Sequence, residues 1–364
     1  GVLGLVIMIA LAATIMPGLF RAGGLLLPMG YGQGPGQANN IGSLYEYTYG
    51  FVGGTSFGLG IATLGLLWAC IGGIIYLNIL VRKGKLTMKK VDSPHDISAE
   101  SVADEGEIPL VEAVDKFTIQ IALVAFVYLL CYLLSMGMIA LLGLFPGLAG
   151  LQKTIAPLIW GFNFIIGSSL ALALRGVFAG LRKSGLMTRQ YPNNYLLNRI
   201  SGFAFDLMIV ASISAINIGD LKGLWVPFLL LTTIGGFLTL FYCRWVADRI
   251  YPEYPVEGMI SMYGMMTGTV STAILLLREV DPNFRTPAAN NLITGSSAAI
   301  VIGFPLLVMI GLAPQSTAML WLTVGLAAAY AIVINIVMLR RTGRREKAAA
   351  KPTEDEGADC AGKG

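Results

Sequence analysis

Apolar residues fill most of this chain in long runs, and two of those runs are broken from within by glycine and small polar side chains. The first break reads Gly30-Tyr31-Gly32-Gln33-Gly34-Pro35-Gly36-Gln37-Ala38-Asn39-Asn40, and the second Tyr263-Gly264-Met265-Met266-Thr267-Gly268-Thr269-Val270-Ser271-Thr272. A helix needs about 20 mostly apolar residues to cross the hydrocarbon of a bilayer. That length predicts spans over residues 1–20, 57–81, 117–145, 155–174, 200–218, 224–242, 291–312 and 318–339. Residues 41–49 form a shorter amphipathic stretch, and the second break falls inside the apolar run 258–277. Neither break can continue as a lipid-facing helix, because irregular backbone at membrane depth needs protein or a wet cavity around it. One such interruption in each half of a membrane chain points to the binding site of a transporter built from inverted repeats.

Charge adds an orientation. Arg82, Lys83, Lys85, Lys89 and Lys90 cluster after the second span, and cytoplasmic loops are the ones enriched in Lys and Arg. With that cluster placed inside, alternating crossings put Arg175, Arg189, Arg244, Arg249 and Arg340–Arg345 inside and Asp220–Lys222 outside. The first break then enters from outside and the second from inside, as an inverted repeat requires. The expected fold is an all-α polytopic membrane protein, an inverted-repeat transporter with two re-entrant glycine-rich loops of opposite entry. Residues 1–81 would be the remainder of the first repeat and residues 82–116, rich in Asp and Glu, a cytoplasmic linker. Residues 117–315 would be the second repeat with its loop at 258–277, residues 316–339 an added helix, and residues 340–364 a disordered cytoplasmic tail. The expected location is the inner (plasma) membrane, crossed several times.

Composition agrees: 55% of residues are hydrophobic and 13% charged, against about 25% charged in soluble domains. The net charge of +4 comes from basic residues between apolar runs and does not imply a nucleic-acid partner. Cys70, Cys131 and Cys243 lie in apolar runs, Cys360 lies in the tail, and no metal spacing connects them. His95 is the only histidine and sits in a polar loop, so no catalytic constellation is visible and an enzyme is not expected. Nothing before the first run resembles a signal peptide.

The chemistry expected of the breaks follows from their residues. Glycine lets backbone N–H and C=O groups turn toward a ligand. Broken helix ends present a positive dipole suited to a carboxylate. The candidate substrate-binding residues are Gly30, Tyr31, Gly32, Gln33, Gly34 and Asn39 in the first break, and Gly268, Thr269, Ser271 and Thr272 in the second. Gln37 and Asn40 add further neutral amides. Thr267, Asn291 and Asp206 are the candidate ligands for a sodium ion. Two readings fit Asp206: a functional acid within a span, or a partner of Arg199 near the end of its helix. Arg278, Glu279 and Asp281 read as surface ion pairs and helix stops, and Gly23-Gly24 and Gly72-Gly73 as packing sites.

Leu27-Pro28-Met29-Gly30-Tyr31-Gly32-Gln33-Gly34, followed by Leu44-Tyr45-Glu46 and Tyr49-Gly50-Phe51, resembles the first re-entrant loop of bacterial sodium/glutamate symporters. Residues 57–66 with Gly72-Gly73 resemble the helix that follows it, and Gly268-Thr269-Val270-Ser271-Thr272-Ala273 resembles the second loop. The similarity runs from Gly1 to about Leu312. It implies two five-helix halves of opposite orientation, a homodimer, and sodium-coupled uptake of glutamate or a related small carboxylate. It further implies that about three helices precede Gly1. The family's first loop carries histidine and threonine where Tyr31 and Gln33 stand, and its second loop Thr-Pro where Val270-Ser271 stand. A passive channel and a non-transporting membrane scaffold are the competing functional readings.

Overall fold

A computed structural model describes residues 1–84, 116–144, 163–187 and 191–349, together with 86, 156, 159 and 160. Twelve helices are defined among them: α1 Val2–Thr14, α2 Leu26–Gly32, α3 Pro35–Tyr49, α4 Gly54–Arg82, α5 Lys116–Gly143, α6 Asn163–Lys183, α7 Asn194–Ser214, α8 Trp225–Ile250, α9 Pro255–Thr267, α10 Val270–Val280, α11 Ala288–Leu312 and α12 Thr317–Ala349. No strand occurs among the described residues. Five helices are long and apolar enough to cross a membrane: α4, α5, α7, α8 and the stretch Thr317–Arg340 of α12. The chain is an all-α membrane protein.

Several boundaries differ from the sequence reading. The first apolar run is helical only through Thr14, because Pro17-Gly18 follows. Thirteen residues rise about 20 Å, short of the ~30 Å hydrocarbon thickness. The amphipathic stretch 41–49 belongs to a longer helix, α3, which Pro35 starts at its first position, where a missing N–H costs nothing. The last helix continues through Ala349, past the expected limit at 339 and into the stretch expected to be a disordered tail. The acidic part of the linker, residues 91–114, and the tail after Ala349 lie outside the described residues.

Helix α4 is the central post. It carries a π-helical turn at Trp68–Gly72 and packs by backbone approach. A β-carbon placed on Gly42 of α3 would lie 2.5 Å from the Gly54 carbonyl, and one on Gly58 would lie 2.5 Å from the Ala38 carbonyl. Ala38-xxx-Gly42 and Gly54-xxx-Gly58 thus face each other antiparallel, the small-residue crossing that membrane helices favour. Gly24 and Gly4 approach in the same way, each blocking a side chain on the other, which bears out Gly24 as a packing site.

Each end of α4 has its own cluster. At the Gly54 end, Phe20 stacks on Phe51 at 4.9 Å, Phe57 meets Phe51 and Phe228 edge-on, and the Tyr45 hydroxyl donates to the Ile310 carbonyl at 2.8 Å. The Ser56 hydroxyl donates to Asp220 at 3.2 Å, tying the α7–α8 connection to the same end. At the Arg82 end, Leu77 packs with Cys243, Ala247, Met259 and Ile260. Replacing Gly42 by Leu should destabilise the detergent-solubilised protein by about 1–3 kcal/mol through overpacking, read as a lower melting temperature. Gly137→Leu, where no atom lies within 4 Å of the new β-carbon, should change it by less than about 0.5 kcal/mol.

Candidate functional site

Both breaks are short interruptions between paired helices. The first consists of Gln33 and Gly34 alone: Gln33 closes α2 with its N–H on the Met29 carbonyl at 3.1 Å, and Gly34 opens α3. Gly34 holds φ 80° and ψ −176°, a region that essentially only glycine occupies. The second consists of Gly268 and Thr269, between α9 and α10. The Thr269 hydroxyl caps α10 by accepting from the Thr272 N–H at 3.3 Å, and the two hydroxyls lie 3.1 Å apart.

The neighbours of α4 give the course of each pair. Leu26 lies against Gly58, Gly30 against Ile61 and Ala62, and Tyr31 against Gly65, so α2 descends parallel to α4. The chain then turns at Gln33-Gly34, and α3 returns past Gly58 to Gly54. The second pair comes from the opposite end. Ile260 lies against Gly73 and the Tyr263 hydroxyl against Gly72, and the Thr267 carbonyl reaches 2.5 Å from a β-carbon placed on Gly65. Helix α10 then returns, bringing Leu276 back to Gly73. Gly65 is the point both pairs reach. It lies eleven residues into α4, about 16 Å from Gly54 and about half the hydrocarbon thickness. There the two breaks come close: a β-carbon on Gly34 would sit 3.7 Å from Thr269 Cγ2.

Four helix ends therefore gather at one place. Helices α3 and α10 begin there, and their first-turn N–H groups have no intrahelical acceptor. Helices α2 and α9 end there with unpaired carbonyls. One zone thus offers amide donors suited to an anion and carbonyl and hydroxyl oxygens suited to a hard cation. Among the described residues no group of three or more His, Cys, Asp or Glu could hold a metal, so a cation here would rest on neutral oxygens.

The candidate residues separate into three groups. Gly32 faces open space, with no atom within 4 Å of a β-carbon there, and Gln33, Asn39 and Ser271 are exposed beside the breaks. Gly34, Thr267, Gly268 and Thr272 are buried in the tips. The Thr267 hydroxyl donates to the Tyr263 carbonyl at 2.7 Å, leaving its lone pairs toward other partners. Gly30 is buried against α4 and packs. Tyr31, expected to bind substrate, is buried instead, and its hydroxyl donates to the Thr232 carbonyl of α8 at 2.6 Å. It fastens the first pair to the scaffold. Tyr263 does the same for the second, donating to the Trp68 carbonyl at 3.2 Å.

Two of the candidate cation ligands lie elsewhere. The Asn291 amide donates to the Tyr254 hydroxyl at 2.9 Å, and Tyr254 precedes α9, roughly 20 Å along its axis from Thr267. Asp206 is exposed on α7. That helix meets the first break through Met208, whose Sδ lies 2.7 Å from a β-carbon placed on Gly36. Two residues along a helix are about 200° apart, so Asp206 points away. Arg199 donates to the Tyr195 hydroxyl at 3.0 Å rather than closing the ion pair considered for Asp206.

Gln37 is the residue that sequence reasoning undervalued. It is the third residue of α3, and its side-chain carbonyl oxygen is buried with no hydrogen-bond partner. A buried acceptor left unpaired costs about 1–3 kcal/mol, so this oxygen is placed for a donor that the fold itself does not supply. The available signal was position: one turn after a glycine break, beside the amides of a new helix. No protein-family model, curated protein or solved structure matches the chain.

Gly34→Ala should lower stability by about 1–3 kcal/mol through its positive φ alone, since its β-carbon has room. Gly32→Ala, in helical backbone with open space, should be neutral or slightly stabilising. Thermal melting of both variants in detergent measures the contrast. Tyr31→Phe should cost about 0.5–1.5 kcal/mol by removing the hydrogen bond to the Thr232 carbonyl, while leaving ligand contacts at the tips unchanged.

Proposed function

We propose that this chain is a cation-coupled secondary transporter, moving glutamate or a related small carboxylate, with sodium as the coupling ion, by alternating access. One observation carries the reading: two helix pairs from opposite ends of α4 come within a side chain's reach of each other at Gly34 and Thr269. The two pairs are the re-entrant loops of an inverted repeat, and each has a buried tyrosine on its incoming arm fixing it to the scaffold. The converging N-termini of α3 and α10 receive the substrate carboxylate, and the orphan Gln37 oxygen accepts a hydrogen bond from the substrate's ammonium. Carbonyls at the ends of α2 and α9, with the hydroxyls of Thr267 and Thr269, supply oxygens for the cation. A lining of neutral dipoles suits a ligand that must also leave, since a fixed opposite charge would hold it through the cycle.

Orientation belongs to the same proposal. Lys83 follows α4 at one end, and the Arg244 guanidinium donates to the Tyr76 hydroxyl at 2.7 Å near that same end. Placing it in the cytoplasm satisfies the positive-inside rule and puts the first loop's entry outside.

Radiolabelled glutamate uptake into proteoliposomes tests the reading. An inward sodium gradient should drive accumulation above the external concentration, and collapse of the gradient should abolish it. Equilibration without accumulation would assign a channel, and absence of flux would assign a scaffold. Gly32→Leu, whose β-carbon meets open space, should reduce uptake more than tenfold at unchanged melting temperature. Asp206→Asn should leave the sodium dependence of uptake unchanged, because that carboxylate faces away from the tips.

A further inference from the structure

Between α4 and α8, on the outer face of the molecule, runs an open groove of about 920 Å³. Its walls are apolar and uncovered: Ile71 and Ile75 of α4 and Phe237 and Phe241 of α8 each expose half or more of their surface. The π-helical turn at Trp68–Gly72 lies along it, and the Trp68 indole packs on Phe237 at 4.7 Å. Chemistry changes abruptly at the other end. Arg244 and Lys83 line the groove there, with Tyr76 between the arginine and the apolar wall. The Tyr76 hydroxyl receives the Arg244 hydrogen bond at 2.7 Å, and the guanidinium carbon stands 5.9 Å from the Tyr76 ring centroid. Asp248, half exposed, approaches the Arg244 Nε at 3.8 Å. It offsets part of one charge and leaves the Lys83 ammonium and the rest of the guanidinium facing the opening.

We infer that this groove binds one anionic glycerophospholipid, with an acyl chain along Ile71, Ile75, Phe237 and Phe241 and the phosphate between Arg244 and Lys83. Charge selects the occupant. A groove that only needed covering by another apolar helix has no use for two cations at one end, whereas basic pockets between membrane helices recognise anionic headgroups. Length agrees: Tyr76 and Trp68 are eight residues apart, about 12 Å along α4. A single leaflet's share of the hydrocarbon is about 15 Å. The basic end therefore meets the headgroup layer when the apolar end reaches the bilayer centre. The inference needs only that the chain lies in a membrane and is independent of the transport reading. None of the break residues Gln33, Gly34, Gly268 and Thr269 lines the groove, so its ligand is a lipid and not the transported solute.

Native mass spectrometry of the full chain, released from nanodiscs, reads the bound lipid. From an equimolar mixture with matched acyl chains, phosphatidylglycerol should be retained at least tenfold over phosphatidylcholine. Lys83→Gln and Arg244→Gln should each reduce phosphatidylglycerol retention about fivefold, and Arg244→Lys should restore most of the second loss. Ile75→Trp, at an exposed position, should exclude both lipids at unchanged melting temperature. Equal retention of the two lipids, or full retention in the Lys83→Gln/Arg244→Gln double variant, would overturn the inference. So would an Ile75→Trp variant that keeps its lipid but changes from dimer to monomer, which would give the groove to a second copy of the chain.

Discussion

A helix broken inside hydrocarbon exposes N–H and C=O groups that lipid cannot satisfy, at several kcal/mol each. In this structure the packing against α4 converges on two helix breaks, at Gln33-Gly34 and Gly268-Thr269. Helix α4 does most of the enclosing, and it can do so only because Gly54, Gly58 and Gly65 let other backbones come within contact of its own. Gly65 is the critical one. The Thr267 carbonyl and the Tyr31 ring both occupy the volume that a side chain there would fill. The scaffold thus fixes how far each helix pair penetrates, and the depth it sets is the level at which the two tips come close.

Burial differs between the arms and the tips of the two pairs. Arms are apolar and tightly held, with each buried tyrosine bonded to a backbone carbonyl of a neighbouring helix. Tips are partly open. Gly32 meets nothing, Gln33 and Ser271 are exposed, and the Gln37 oxygen is enclosed without a partner. A sequence selected only for dense packing would fill the space at Gly32 with a methyl group, gaining helix propensity as well.

Much of this was legible in the residues. Apolar run length gave the membrane class, and glycine with small polar residues located both breaks to within a few positions. The sequence overestimated their extent. Eleven residues looked irregular in the first, but only Gln33 and Gly34 leave the helix, because glycine lowers helix propensity without forbidding a helix that neighbours hold in place. Side-chain roles were harder to read, for a consistent reason. Tyr31 sits inside the glycine run yet points to α8, and Asn291 follows the second break in sequence yet bonds Tyr254 at the far end of α9. Proximity in sequence does not fix which way a helical side chain points. Asp206 illustrates the same limit: it stands two residues from Met208, which touches the first break, and faces the other way. The Gly72-Gly73 pair was legible as a packing site, since Tyr263 and Leu276 use the space those glycines leave.

Helix α4 also joins the second helix pair to the groove beside α8. Its π-helical turn inserts an extra residue between Gly65 and Tyr76, which changes the rotational phase of everything beyond it. Before the turn, Gly54, Gly58 and Gly65 face the two helix pairs. After it, Gly73 and Leu77 still face α9 and α10, while Ile71, Ile75 and Tyr76 are turned toward α8 and the groove. Trp68, the first residue of the turn, is held from both sides: its carbonyl accepts from Tyr263 on the incoming arm of the second pair, and its ring packs on Phe237 in the groove wall. Trp68 thus joins the second pair to the groove wall through a single residue.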